Sequence, residues 1–272
     1  MKISIIIPTY NRASLIGRTI QSVLNQTSEQ WELIVVDDGS TDSTKDEVMK
    51  FDTDKIRYIK QENSGANSAR NRGATLATSD LLAFLDSDDE LLPTWVEEVG
   101  MAASNIDAIV CCGVIKCDGK DEVILNPKSL GIGFNNIVGK FTNGASYAIN
   151  KNLFWEVGGF DEKLRSGQHT ELSFRLRSRI VANKVQIVNL MKPLVKVNIH
   201  EGPRIRSSSE SKLLGALHIM EKHADLMKKF PILGRTYSRI VLFHSLELHL
   251  YSVSIKAGWQ YLISSIRIAL RK

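Results

Sequence analysis

The chain has 272 residues, 43% of them hydrophobic and 24% charged, which suits one large α/β domain or a domain with an appendage and excludes a low-complexity or fibrous chain. The formal charge of +5 is unevenly spread: residues 203–272 carry 12 Lys or Arg against 4 Asp or Glu, leaving the body at −3. Such a basic tail suits an anionic surface, and three cysteines at no zinc spacing exclude a disulfide framework or a zinc finger.

In chain order, Ile3 to Ile7 is a short β-branched run that predicts a buried parallel strand. Ser14 to Gln26 puts Leu15, Ile16, Ile20, Val23 and Leu24 on one helical face. "WELIVVDD" predicts a second strand, and "GSTDSTKDEVMKF" a helix with hydroxyl and acidic caps. "IRYIK" is a third strand, "SGANSARNRGATLA" a loop feeding a helix, and "LLAFLD" a fourth strand. After Pro93 come a helix containing Trp95, Val96 and Val99, and a strand in "DAIVCCGVI", where buried thiols are expected. Residues 118–140 give no clear pattern. "GASYAIN" predicts a strand, "NLFWEVGGFDEKLRSG" a short helix with a glycine turn, and "TELSFRLRSRIV" a helix. From about residue 208 the pattern is helical to the end.

Strands alternating with helices predict a doubly wound, mostly parallel Rossmann-like sheet. Ligands of such sheets bind at the carboxyl ends of the strands. Three polar clusters stand there: Pro8-Thr9-Tyr10-Asn11, Asp37-Asp38-Gly39-Ser40 and Asp86-Ser87-Asp88. The last opens a run of four acids in five residues, Asp86 to Glu90. If extended, the run faces Asp86 and Asp88 the same way, as paired hard oxygens suited to Mg²⁺ or Mn²⁺. The alternative is a polar strand end with Asp88 or Asp89 capping the next helix. No Walker loop and no G-x-G-x-x-G after the first strand is present, which argues against a P-loop NTPase and a dinucleotide oxidoreductase.

"SIIIPTYNR", "LIVVDDGSTD", "NSGANSARNRG", "FLDSDDELLP" and "GGFDEKLRSG" together resemble the family 2 glycosyltransferases of GT-A fold, in order from about Lys2 to Arg177. The resemblance implies an inverting transferase with a nucleotide-sugar donor, most often a UDP-sugar. It implies that Pro8, Thr9 and Tyr10 meet the uracil and that Asp38 accepts its imide N–H. Arg70 would reach base or diphosphate, Asp86 and Ser87 complete the donor set, and Asp88 with Asp86 ligates Mn²⁺ or Mg²⁺. His200, in a late loop with Arg204 and Arg206, would be a further metal ligand, the alternative being a surface histidine.

The family's base usually sits in a G-E-D-x-[DE]-L-like segment, where this chain reads "GQHTELSFR". His169 stands at the place of the aspartate. A neutral imidazole, with an ordinary pKa of about 6.5, has the chemistry to take a proton. Glu171 is the competing base, and a site that only binds the donor is the third reading.

The expected organisation is a catalytic domain over residues 1–202 and a basic helical region over 203–272. In the tail, Ile255, Trp259, Leu262, Ile263, Ile266 and Leu270 share one helical face, with Lys256, Arg267, Arg271 and Lys272 off it. This helix either lies in a membrane interface or packs on the catalytic domain or on a partner subunit, which leaves a homo-oligomer open. No stretch approaches a membrane span, and Pro8 breaks the N-terminal apolar run too early for a signal peptide. The expected setting is the cytoplasm or the inner face of its membrane, with a glycan or lipid-linked glycan acceptor and no nucleic acid. A nucleotidyltransferase is disfavoured because "PTYNRASLIG" resembles no glycine- and lysine-rich phosphate loop.

Overall fold

The structure is a computed structural model that describes residues 1–103, 108–119, 121–127, 144–182, 185–199 and 208–270. The chain divides into two compact units, Met1–Glu162 with Leu172–Glu201, and Lys163–Glu171 with Gly202–Lys272. The second unit thus joins residues 163–171 to residues 202–272.

In the first unit, β1 (Ile3–Thr9), β2 (Trp31–Asp37), β3 (Ile56–Lys60) and β4 (Leu81–Phe84) run parallel in the order β3-β2-β1-β4. Helices α1 (Ala13–Leu24), α2 (Thr44–Met49) and α3 (Ala66–Leu76) follow the first three strands. β1 is buried along its whole length because both faces of the sheet are covered. Alternation sends Ile3, Ile5 and Ile7 into one core with Ile16, Ile20 and Val23 of α1. Ile6 goes into the other core with Ala69 and Ala74 of α3. Gly73 sets the approach of α3, since a methyl there would lie 2.4 Å from Ile6 Cγ2.

Beyond β4 the sheet turns mixed. After the two-residue β5 (Glu90–Leu91) come α4 (Trp95–Ala102), β6 (Ala108–Cys117) and β7 (Glu122–Leu125). They are followed by β8 (Tyr147–Asn150) and α5 (Lys151–Glu156). β8 is antiparallel to both β4 and β6, and β7 is a hairpin partner of β6. Asn150 caps α5, its Oδ1 accepting from Asn152 N at 2.9 Å and Leu153 N at 3.1 Å. All three cysteines are buried thiols on β6, as expected.

The helix α6 (Gln168–Val181) is followed by a long strand, β9 (Gln186–Asn198), which runs parallel to β6 and antiparallel to β5. The sequence reading missed β9, because Pro193 argues against an interior strand. The register shifts at Gly113, so that Cys112 pairs Leu190 while Gly113 pairs Pro193. Met191 and Lys192 are passed over, and that bulge accommodates the proline.

In the second unit, α7 (Ser209–Lys222), α8 (Ala224–Lys229), α9 (Pro231–Glu247) and α10 (Tyr251–Ala269) form the expected helical region. Its buried residues include Leu213, Ala216, Ile219, Leu233, Tyr237, Val241 and Ala257.

Candidate active site

Because β2, β1 and β4 are adjacent and parallel, their carboxyl ends lie on one edge, and the loops leaving them are stitched together. Thr9 pairs with Asp37, and Asp38 N donates to Thr9 O at 2.8 Å. Asn11 N donates to Ser40 Oγ at 2.9 Å, and Thr41 N donates to Asn11 Oδ1 at 2.8 Å. Pro8 and Thr9 are buried, while Tyr10 leaves the strand 45% exposed.

Asp37 and Asp38 divide the work. Asp37 accepts from Ser40 N at 2.7 Å and from the Tyr58 hydroxyl, holding the loop after β2. Burial, that hydrogen bond and the Asp37 charge push the Tyr58 pKa up. Asp38, 4% exposed, accepts from Gln61 Nε2 and Ser64 N on Oδ1 and from Gly65 N on Oδ2, each at 2.8 Å. Its carboxylate thereby fixes the entry to α3.

Arg70 and Asp86 meet as a pair: Arg70 Nη2 lies 2.7 Å from Asp86 Oδ1, and Arg70 Nη1 donates to Asn67 Oδ1 at 3.0 Å. The guanidinium also lies 5.6 Å from the centre of the Phe160 ring. Asn67 Nδ2 donates to Asp161 O, and Asn71 exchanges two hydrogen bonds with the Phe160 backbone. The "NSARNRG" helix and the "GGFDE" turn are therefore one clasp around Arg70. Gly144 faces the same place, since a methyl there would lie 2.4 Å from Phe84 O and 3.3 Å from the Asp86 carboxyl. Two buried polar atoms at this edge, Thr9 Oγ1 and Arg70 Nε, have no hydrogen-bond partner among the described residues. Each such atom costs about 1–3 kcal/mol, which a polar ligand would relieve.

The acid run is not extended. Asp89 N donates to Asp86 O at 3.1 Å, closing a turn over Asp86 to Asp89, so the alternation expected for Asp86 and Asp88 does not apply. Neither Asp88 nor Asp89 caps the next helix either, because α4 begins at Trp95 after Thr94. What gathers the acids is a set of donors from distant elements. Arg18 of α1 reaches Glu90 Oε1 at 3.2 Å and donates to Asp88 O at 3.2 Å. Asn198, ending β9, donates through Nδ2 to Asp88 O and Glu90 Oε1, and through its backbone N to Asp89 Oδ1. Ser87 and Asp89 are buried, whereas Asp86 and Asp88 keep partial exposure.

Those two carboxylates are hard oxygen donors of the kind Mg²⁺ and Mn²⁺ take. Among the described residues no group of three or more His, Cys, Asp or Glu is arranged to hold a metal. His200, Arg204 and Arg206 lie outside the described residues.

In the second unit, His169 occupies the first turn of α6 and is 4% exposed. Glu171 is fully buried, its Oε1 accepting from Lys222 Nζ at 3.0 Å and facing His223 Nε2 at 2.9 Å. Burial and the Glu171 charge push the neighbouring Tyr237 pKa up. Glu171 is therefore tied to the end of α7 within the second unit.

Arg18, Asn67, Asn71 and Asn198 escaped the sequence reading. Asn67 and Asn71 left a usable signal, an i,i+4 amide pair on one helix face beside Arg70. Arg18 reads as a solvated helix residue, and Asn198 belongs to the strand that Pro193 concealed.

A family model described as glycosyl transferase family 2 matches residues 4–166. The validoxylamine A glucosyltransferase of Streptomyces hygroscopicus subsp. jinggangensis is 33% identical over 223 residues, covering 65% of this chain and 51% of that protein. WfgD of Escherichia coli is named a UDP-Glc:alpha-D-GlcNAc-diphosphoundecaprenol beta-1,3-glucosyltransferase. It is 36% identical over 153 residues, covering 56% of this chain and 54% of its own. The chain thus spans about half the length of these curated relatives. The crystal structure of S. aureus TarS 1–349 in complex with UDP-GlcNAc superposes with a TM-score of 0.67 at 21% identity, over 97% of this chain and 79% of that one, which establishes the GT-A-like fold.

Proposed function

This chain belongs to glycosyl transferase family 2, and on that premise we propose that it moves a sugar from a UDP-sugar to a hydroxyl of a glycan or lipid-linked glycan acceptor, with inversion, in cell-surface polysaccharide synthesis. The observation that carries this reading is the meeting of Thr9, Asp38 and the Arg70–Asp86 pair on one carboxyl edge of the sheet. The activity for which WfgD is named and the UDP-GlcNAc held by TarS support the donor and acceptor classes.

In this reading the exposed Tyr10 ring stacks on the uracil, with Pro8 and Thr9 beneath it. Asp38 receives the imide N–H on lone-pair capacity that its three internal bonds leave over. Arg70 balances phosphate charge, and Asp86 and Ser87 border the ribose. Asp86 and Asp88 would hold Mn²⁺ or Mg²⁺, joined by His200. When bound, the cation supplies positive charge against the departing diphosphate.

The acceptor oxygen attacks the anomeric carbon from the face opposite the phosphate, the bond to the phosphate oxygen breaks, and UDP leaves. The acceptor proton goes to His169. Glu171 is the weaker choice for that role, because Lys222 and His223 already occupy its buried carboxylate.

The test is UDP release from UDP-sugars with and without acceptor. His169→Ala should keep donor binding and cut transfer by about 10²–10⁴-fold; undiminished transfer would remove His169 from the role. A second reading, a module that binds the donor without turnover, is favoured by the histidine standing in the aspartate's place. It gains if binding persists with no transfer to any acceptor tried.

A further inference from the structure

Helix α10 is seated by its small residues. Ser254, Ala257 and Ser264 are buried, and this side meets α9. Ser254 Oγ lies 2.8 Å from Ser245 Oγ, and a methyl on Gly234 would lie 2.9 Å from Ser264 Oγ. These two contacts fix α9 and α10 as an antiparallel pair. The rest of the helix is the reverse of what core packing selects. At 100° per residue, Tyr251, Ile255, Trp259, Leu262, Ile263 and Ile266 fall within an arc of about 120°. All six are between 45% and 65% exposed. Lys256 and Arg267, both exposed, follow directly at one border of that arc, between the apolar side and the seated side.

We propose that this face of α10 lies in the interfacial layer of an anionic lipid bilayer, with the apolar arc among the acyl chains and Lys256 and Arg267 at the level of the phosphates. Charge selects this occupant. Residues 203–272 carry a formal +8, which an anionic surface attracts and a second copy, bringing its own +8, repels. The aromatic content points the same way, since Trp259 and Tyr251 pair an apolar ring with a polar atom, as interfacial residues do. Among the described residues no helix is long and apolar enough to cross a membrane, so α10 lies on the bilayer. Lipid binding of this kind needs neither a nucleotide nor turnover, and it stands whether or not the donor reading holds. It would also concentrate the protein where a lipid-linked acceptor resides.

The test is co-sedimentation of the full chain with phosphatidylcholine vesicles, with and without phosphatidylglycerol. The protein should pellet with the anionic vesicles, and added salt should weaken that binding. Ile255→Asp with Ile266→Asp should abolish it, while circular dichroism shows the helices intact, because both side chains are exposed. Lys256→Gln with Arg267→Gln should weaken it about 25-fold, roughly fivefold per cation. Equal binding to neutral vesicles, or anionic binding that survives the double aspartate variant, would overturn the proposal. So would a concentration-dependent dimer in lipid-free buffer that the same variant dissolves, which would give the face to a second copy.

Discussion

Asp38 has a structural role beside the base-binding role proposed for it. Its three internal acceptances fix the loop that leads into α3, so it has structural weight before any ligand arrives. Asp38→Asn would turn an amide N–H₂ towards an N–H that needs an acceptor, and should cost about 1–3 kcal/mol in urea unfolding. A change below about 0.5 kcal/mol would show that the carboxylate does not hold the loop. Arg70 is similar. Arg70→Lys keeps the charge but loses the fork that reaches Asn67 and Asp86 together, and should weaken UDP binding and lower stability by about 1–3 kcal/mol. Unchanged binding by calorimetry would remove Arg70 from the donor site. The residue types at this edge were legible in the sequence, but their partners were not. Nothing local says that Asp86 pairs with Arg70 or that Glu90 meets Asn198, 108 residues away.

At the scale of elements, β1, β2 and β4 were legible because a strand buried on both faces must be a continuous apolar run. β9 was hidden by Pro193, and β5 by its acidic residue, since each forms only against its partner. Glu32 on β2 shows what such a strand carries besides apolar side chains. Its Oε1 accepts from Ser4 Oγ at 2.5 Å, Thr78 N at 2.6 Å and Thr78 Oγ1 at 2.8 Å. Burial pushes its pKa up, but these hydrogen bonds and the Arg57 charge more than offset that and hold it below the usual glutamate value. Its contribution to stability is therefore fully present above the unfolded value of about 4.3 and is lost as pH falls through the lower folded value. Glu32→Gln should reduce stability at pH 7 and flatten the acid limb below about pH 4.3. An acid limb identical to that of the parent would contradict this.

At the scale of the whole molecule, residues 203–272 carry a formal +8 against −3 for the rest of the chain. The fold class and the helical region could be read from periodicity, whereas the grouping of residues 163–171 with the tail could not, because it depends on contacts and not on composition. The central claim, that the carboxyl edge of β2, β1 and β4 holds a nucleotide diphosphate with a cation, belongs at this scale. It is tested most directly by thermal unfolding with UDP, with and without Mn²⁺, on the parent chain and on Asp88→Ala. At a hundred times Kd, UDP with Mn²⁺ should stabilise the parent by about 2.7 kcal/mol, and Asp88→Ala should lose the metal-dependent part of that gain. No stabilisation by UDP with Mn²⁺, or an undiminished metal-dependent gain in Asp88→Ala, would contradict the account.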